Sequence, residues 1–144
     1  MKSSNSNSGY RGYLSSRPFS GERVPQHVQN IVIRDYCVRN NLKYLLSATE
    51  VAMPNSYLML NKLLSELTNI DGIVCYSLFQ LPEEKLVRRN VCEEILIQKK
   101  TIHFAVESLR VDDWSQVAVL ESICDVKRVI GHCLSKQQLI DTMQ

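Results

Sequence analysis

The chain has no apolar run long enough to span a bilayer, and its opening stretch, MKSSNSNSGYRG, has no apolar signal core. Neither insertion nor export is expected, which points to the cytoplasm. Closely spaced ligand pairs are also missing. The five cysteines, Cys37, Cys75, Cys92, Cys124 and Cys133, are odd in number and form no CxxC pair. A disulfide framework and a zinc site are therefore not expected, and buried thiols in a reducing compartment are. No Walker loop and no GxGxxG is present, so a nucleotide held in the usual way is not expected, nor is a cofactor or metal. Charge of one sign is scarce as well. With 17 Lys and Arg against 15 Asp and Glu, the net charge is +2. That gives no reason to expect a polyanion, so nucleic acid is not an expected partner. No internal repeat and no second domain is visible.

What is present suits one domain. The chain has 144 residues, 44% of them hydrophobic and 22% charged, enough for a sizeable core. Met1 to Ser8 is rich in Ser and Asn and reads as a disordered N-terminus. Residues 9–134 read as the domain, and 135–144 as a C-terminal tail, a short helix or frayed. The most informative stretch is Asn69 to Lys85, NIDGIVCYSLFQLPEEK. A turn precedes Ile73–Leu78, a nearly continuous apolar run of the kind covered on both faces. Pro82-Glu83-Glu84 then reads as a helix start, with acids at the positive end.

The rest alternates in the same way. Strands are expected at 9–14, 43–49 and 101–106, and helices at 25–40, 56–67, 82–98 and 113–130, with Gly131 as the last stop. In the first helix Val28, Ile31, Val32, Asp35, Tyr36 and Arg39 repeat at helical spacing, the first four supplying or flanking a core face; in the second the residues of the apolar face are Leu60, Leu63, Leu64 and Leu67. In the third they are Val87, Val91, Ile95 and Leu96, with Arg88 and Arg89 facing solvent. In the last they include Trp114, Val117, Leu120, Cys124 and Val129. This βαβαβαβα order predicts an α/β fold: a single-domain, three-layer sandwich with a mainly parallel four-stranded sheet, resolvase-like or flavodoxin-like. Right-handed crossovers place four strand-following loops on one edge, the place where open α/β sheets hold their chemistry.

That edge collects the candidate residues. Ser15, Ser16 and Arg17 directly follow the first strand. Paired hydroxyls and a guanidinium suit a phosphate or carboxylate, with Arg17 giving two parallel hydrogen bonds. Ser16 also has the position of a nucleophile, provided a base stands beside it. The local alternative is a turn before Pro18 with Arg17 in solvent. Glu50 and Glu107 each follow a strand and are candidates for a general acid/base pair, or else each caps a helix. Tyr76, Ser77 and Gln80 end the central strand and offer neutral hydrogen bonds to a polar ligand, Tyr76 equally as a core aromatic with its hydroxyl at the rim. Among the histidines, His103 reads as a satisfied buried residue, His27 lies near the edge loops, and His132 with Cys133 reads as a local cap.

Two family resemblances follow from these residues. Gly12-Tyr13-Leu14-Ser15-Ser16, GIVCYSLFQL and TIHFAVESL together resemble the catalytic domain of serine recombinases, over roughly Gly12 to Leu109. The likeness departs at the chemistry. It places Ser15, Gln80 and Glu83 where arginines are expected, and Asn55 near a fourth, so the guanidiniums that would stabilise a phosphoryl transition state are missing. No helix-turn-helix DNA domain is recognisable either. Over nearly the whole chain, RGYLSSRPFSGERVPQHVQNIVIRDYC, LLSATEVAMPNSYLML, IDGIVCYSLFQLPE and IHFAVESL resemble the bacterial sporadic carbohydrate cluster proteins. That resemblance implies a role in making or modifying an unusual cell-surface sugar, and it carries no catalytic residue with it.

The resulting expectation is action on a phosphorylated or acidic sugar intermediate, of isomerase, epimerase or lyase type. Arg17 would bind the anion, Glu50 or Glu107 would handle protons, and Ser15, Tyr76, Ser77 and Gln80 would position the sugar. The alternative is a non-catalytic interaction subunit of a glycan-pathway enzyme, marked by an apolar patch near Trp114, Val117 and Leu120. A DNA-processing relative of the recombinases comes last. Self-association through the last helix is expected under the recombinase resemblance.

Overall fold

A computed structural model describes residues 8–16, 18, 23–50, 53 and 56–143; side chains of 131–143 lie outside the description. The elements are β1 (Tyr10–Ser15), α1 (Gln26–Arg39), β2 (Tyr44–Glu50), α2 (Leu58–Ser65) and β3 (Gly72–Cys75). They continue with α3 (Lys85–Ile97), β4 (Thr101–Phe104), β5 (Leu109–Val111) and α4 (Trp114–Met143). Short 3-10 turns occupy Leu67–Asn69 and Leu78–Gln80. The sheet runs in the order β2-β1-β3-β4-β5, parallel throughout except for β5, which returns antiparallel to β4. The α/β, mainly parallel architecture is as expected, but with five strands rather than four. Three residues of β5 follow a tight turn through Ser108, whose φ is 51°. So short a strand leaves almost no alternation to read.

The two faces bury different sets, as the alternation of side chains along a strand requires. Tyr13, Ile73, Cys75, Ile102 and Phe104 pack with Leu60, Leu63, Leu64 and Leu67, with Val91, Cys92 and Ile95, and with Val117 and Leu120. Leu14, Val74 and Ala105 pack with Ile33, Tyr36 and Cys37 of α1. Every residue of β3 is buried, which explains its unbroken apolar character. Gly72 opens β3 where β4 comes close: a Cβ there would stand 1.9 Å from the carbonyl oxygen of Thr101.

Several expectations of face and boundary are corrected. In α1 the buried residues are Gln29, Ile33, Tyr36 and Cys37, whereas Ile31 is exposed. The stripe is rotated from the one that apolar residues alone indicate, because a polar Gln29 belongs to it. The third helix begins at Lys85 with Glu84 as its cap, not at Pro82. Arg88 is not in solvent: only 7% exposed, it lies buried between α3 and α4, bound to Glu121. Val87 and Val129 are exposed. Finally, α4 runs through Gly131 to Met143. A lone helical glycine weakens a helix by only about 1 kcal/mol and does not by itself end one.

Candidate functional site

In this strand order the chain steps from β1 to one side, β2, and then returns past it to β3. The carboxyl ends of β1 and β3 therefore flank the point where connections diverge to opposite faces, and ligand crevices in such sheets open there. In this protein that point is filled by side-chain amides. Gln29, 0% exposed, enters from the first turns of α1. Its Nε2 donates to the carbonyls of Ser15 and Val24, both at 2.8 Å, and its Oε1 accepts from the amide of Ser15 at 3.2 Å. Gln80 donates to the same Oε1 at 2.6 Å, and its own Oε1 accepts from the amide of Ser77 at 3.3 Å. One continuous network thus joins the end of β1, the start of α1 and the turn after β3.

Glu107 extends that network. Its carboxylate accepts from the Ser77 hydroxyl at 2.7 Å and from the Leu78 amide at 3.0 Å, holding the start of the 3-10 turn. The Ser77 hydroxyl in turn accepts from the Phe79 amide at 3.2 Å, which completes a capping box with Gln80. Short turns of this kind expose several amides at once, and these acceptors satisfy them.

Glu50 does the equivalent work for α2. It is 0% exposed, and its oxygens accept from the amides of Met59 and Leu60 at 3.1 to 3.2 Å and from the Tyr13 hydroxyl at 3.0 Å. A carboxylate at the positive end of a helix, with three donors around it, tolerates burial that a lone one would not. Ser16 binds next to it, but to the backbone: its hydroxyl donates to the Glu50 carbonyl at 3.1 Å.

The described candidate residues lie at strand ends on one edge of the sheet, in a particular grouping. Ser15, Ser77, Gln80 and Glu107 are drawn together through Gln29. Glu50 and Ser16 form a second group at β2. Strands β1 and β3 stand between β2 and β4, so the strand ends that carry Glu50 and Glu107 are about 14 Å apart at ~4.8 Å per strand. The two carboxylates do not face each other as a proton-transfer pair. Ser16 gives its proton to a carbonyl rather than to a base. Tyr76 is half-buried against the α1-side core, and its carbonyl accepts from the Val106 amide. Arg17 and Asn55 lie outside the described residues.

Away from this edge, His103 of β4 is 4% exposed. Its Nδ1 is 2.8 Å from the Tyr36 hydroxyl, and Tyr10 packs edge-on at 5.2 Å, while its Nε2 has no partner. Burial, helped by the charge of Arg110, lowers its pKa to about 4. His103 is thus buried as expected but only half satisfied; His27 is exposed. Burial pushes the thiols of Cys37 and Cys92 up to about 11 and that of Cys75 higher still. None of the three has the lowered pKa of a reactive thiol. Among the described residues no group of three or more His, Cys, Asp or Glu is placed to hold a metal ion, and no helix is long and apolar enough to cross a membrane.

Sequence reading missed Gln29 and Arg88. The signal for Gln29 was its spacing, four residues before Ile33 and seven before Tyr36 on a buried stripe. Nothing local marked Arg88, whose partner Glu121 is 33 residues away.

The fold resembles that of resolvase-family catalytic domains. The chain is similar to a resolvase-family site-specific recombinase from Streptococcus pneumoniae, with 9% identity over 93% of this chain and 98% of that one and a TM-score of 0.59. It is also similar to the N-terminal catalytic domain of TP901-1 integrase, with 14% identity over 86% and 98% of the two chains and a TM-score of 0.57. At these identities the likeness is one of fold. No family model and no curated protein sequence matches the chain.

Proposed function

We propose that the chain is a non-catalytic interaction subunit of a carbohydrate pathway, working in the cytoplasm. The observation that carries this reading is the Gln29–Gln80 pair in the crevice between β1 and β3. Where a ligand would enter, the fold has buried, mutually bonded amides, and both edge carboxylates hold helical turns in place. The pathway rests on the sequence resemblance to sporadic carbohydrate cluster proteins, and the compartment on the buried thiols.

The partner surface is the stretch of α4 that carries Val126, Val129 and Ile130. Val117 and Leu120 are buried in the core, so the apolar patch lies further along than the sequence indicated. Val126, Val129 and Ile130 are each more than half exposed. Thirty residues make α4 about 45 Å long at 1.5 Å per residue. Its occupant is a second copy of this chain or the pathway enzyme. Val126→Lys with Ile130→Lys tests this: the double variant keeps its fold and loses association in light scattering, or loses the enzyme in co-purification. An unchanged assembly and unchanged co-purification would reject the surface.

A second reading remains because Ser16 is only half-buried and directly precedes Arg17 in the chain. It is action on a phosphorylated or acidic sugar. Purified protein incubated with sugar phosphates and acidic sugars would bind and turn over one of them, and Arg17→Ala would abolish both. Absence of binding across the panel rejects it. DNA processing has the fold likeness in its favour, but Gln80 and Glu83 stand where that chemistry needs guanidiniums; lack of DNA binding at low salt removes it.

A further inference from the structure

Strand β2 ends the sheet: β1 lies on one side of it, and among the described residues no strand lies on the other. Its ladder fixes which backbone groups are left over. Lys43 and Glu50 give their carbonyls to the Tyr10 and Ser16 amides. Backbone groups alternate along a strand, and Tyr44 pairs in register with Tyr10 and Thr49 with Leu14. Tyr44 and Thr49 therefore turn their N–H and C=O groups to the open side. Between them β2 carries one extra residue, since Arg11 pairs with Leu45 but Tyr13 with Ala48. This bulge is held from inside, where Arg11 Nε donates to the Leu46 carbonyl. The Leu46 side chain is 79% exposed, more than any other large apolar side chain among the described residues.

Sheets commonly protect such an edge with lysine, proline or an inward-pointing charge. Tyr44 to Thr49 contains none of these, and only the bulge interrupts it. Charges stand just outside, opposite in sign: the exposed Lys43 before the stretch and the buried Glu50 after it. We propose that β2 pairs antiparallel with β2 of a second copy of this chain across a two-fold axis, joining two five-stranded sheets into one. Tyr44 then meets Thr49 of the copy, and Thr49 meets its Tyr44, so the open backbone groups find counterparts at both places. The same register sets Lys43 across from Glu50 of the copy at both ends, and brings Leu46 beside its own copy at the axis. A second copy supplies all three complements at once, whereas an arbitrary extended peptide supplies only the backbone bonds. This surface is separate from that of α4 and does not rest on the interaction-subunit reading.

The test uses the full chain carrying Val126→Lys and Ile130→Lys, so that any association left is independent of α4. Sedimentation equilibrium is expected to show monomers in exchange with dimers. Adding Leu46→Lys, at an exposed position, is expected to weaken the dimer about tenfold or more. Amide hydrogen exchange reads the register without a β2 variant. The Tyr44 and Thr49 amides are expected to be protected in concentrated protein and to exchange freely on dilution, while those of Leu45 and Glu50 stay protected throughout. A chain still monomeric at about 1 mM overturns the proposal and leaves the edge to an extended segment of another protein. It is equally overturned if Leu46→Lys leaves the dimer intact, or if Tyr44 and Thr49 gain no protection on concentration.

Discussion

Gln80 donates its side-chain amide to Gln29 Oε1 at 2.6 Å, fully buried where β1 and β3 diverge. The same Gln29 holds both backbone groups of Ser15, so one side chain fixes the end of β1, the start of α1 and the turn after β3. Gln29→Leu keeps the volume and removes every one of these bonds. It takes this partner from the amide and carbonyl of Ser15 and from the side-chain amide of Gln80, all of them buried. The expected loss is about 1–3 kcal/mol or more in urea unfolding, the scale of removing a hydrogen-bond partner from buried polar groups. A loss below about 0.5 kcal/mol would mean that the network is dispensable.

A second interior bond behaves differently because it is ionic. Arg88 Nε and Nη2 bind Glu121 at 2.7 and 2.5 Å, and Nη1 reaches the carbonyls of Pro82 and Glu83. Arg88→Met alone leaves Glu121 uncompensated and is expected to lower stability by roughly 3–5 kcal/mol. Arg88→Met with Glu121→Leu removes the stranded charge. The double variant is expected to be more stable than Arg88→Met, a sign of coupling that a double-mutant cycle reads directly.

These two side chains show where the sequence was legible. Apart from β5, the order of strands and helices was, because β3 is continuously apolar and α2 repeats leucine at helical spacing. The polarity of the sheet edge was as well, because Ser15, Glu50, Ser77 and Glu107 each follow a strand. Their use was not. Whether a carboxylate awaits a substrate or caps a turn depends on amides brought to it by the fold: Glu50 meets Met59 and Leu60, and Glu107 meets Leu78. Gln29 and Arg88 were read by polarity as outward-facing or were passed over. Their burial is decided by partners 51 and 33 residues distant.

His103 gives the fold a pH dependence of known sign. Its pKa is about 4 in the folded chain against an ordinary 6.5. The unfolded chain therefore binds a proton over that interval and the folded chain does not. The contribution is complete above pH 6.5 and is lost as pH falls towards 4. Tyr10, Tyr36 and Arg110 surround the ring, and the carboxylate of Asp112 opposes the lowering only in part. The full loss is on the order of 3 kcal/mol at most. Chemical denaturation at pH 7 and pH 4.5 checks it: His103→Gln is expected to show a smaller drop than the native chain, and an equal drop would assign the acid sensitivity elsewhere.

The thiols report on the same core. Cys37, Cys75 and Cys92 are buried and their thiols are raised by burial. They are expected to resist an aromatic disulfide reagent at pH 8 in the native chain and to react fully in denaturant. Mass mapping of the labelled sites checks this. Fast native labelling of Cys75, the most deeply buried, would contradict the packing between β3 and the α2–α3 layer.

Glu50 separates a structural edge from a catalytic one. As the acceptor for Met59, Leu60 and Tyr13, it is expected to matter even when nothing is bound. Glu50→Gln keeps the shape, removes the charge from the start of α2, and replaces one acceptor oxygen by a donor facing an amide. A loss of about 1–3 kcal/mol in thermal or urea unfolding is the expected outcome. A residue held there for proton transfer behaves in the opposite way, since stability usually rises when a functional charge is neutralised. An increase in stability with Glu50→Gln would therefore count against the capping role and favour the sugar-processing reading.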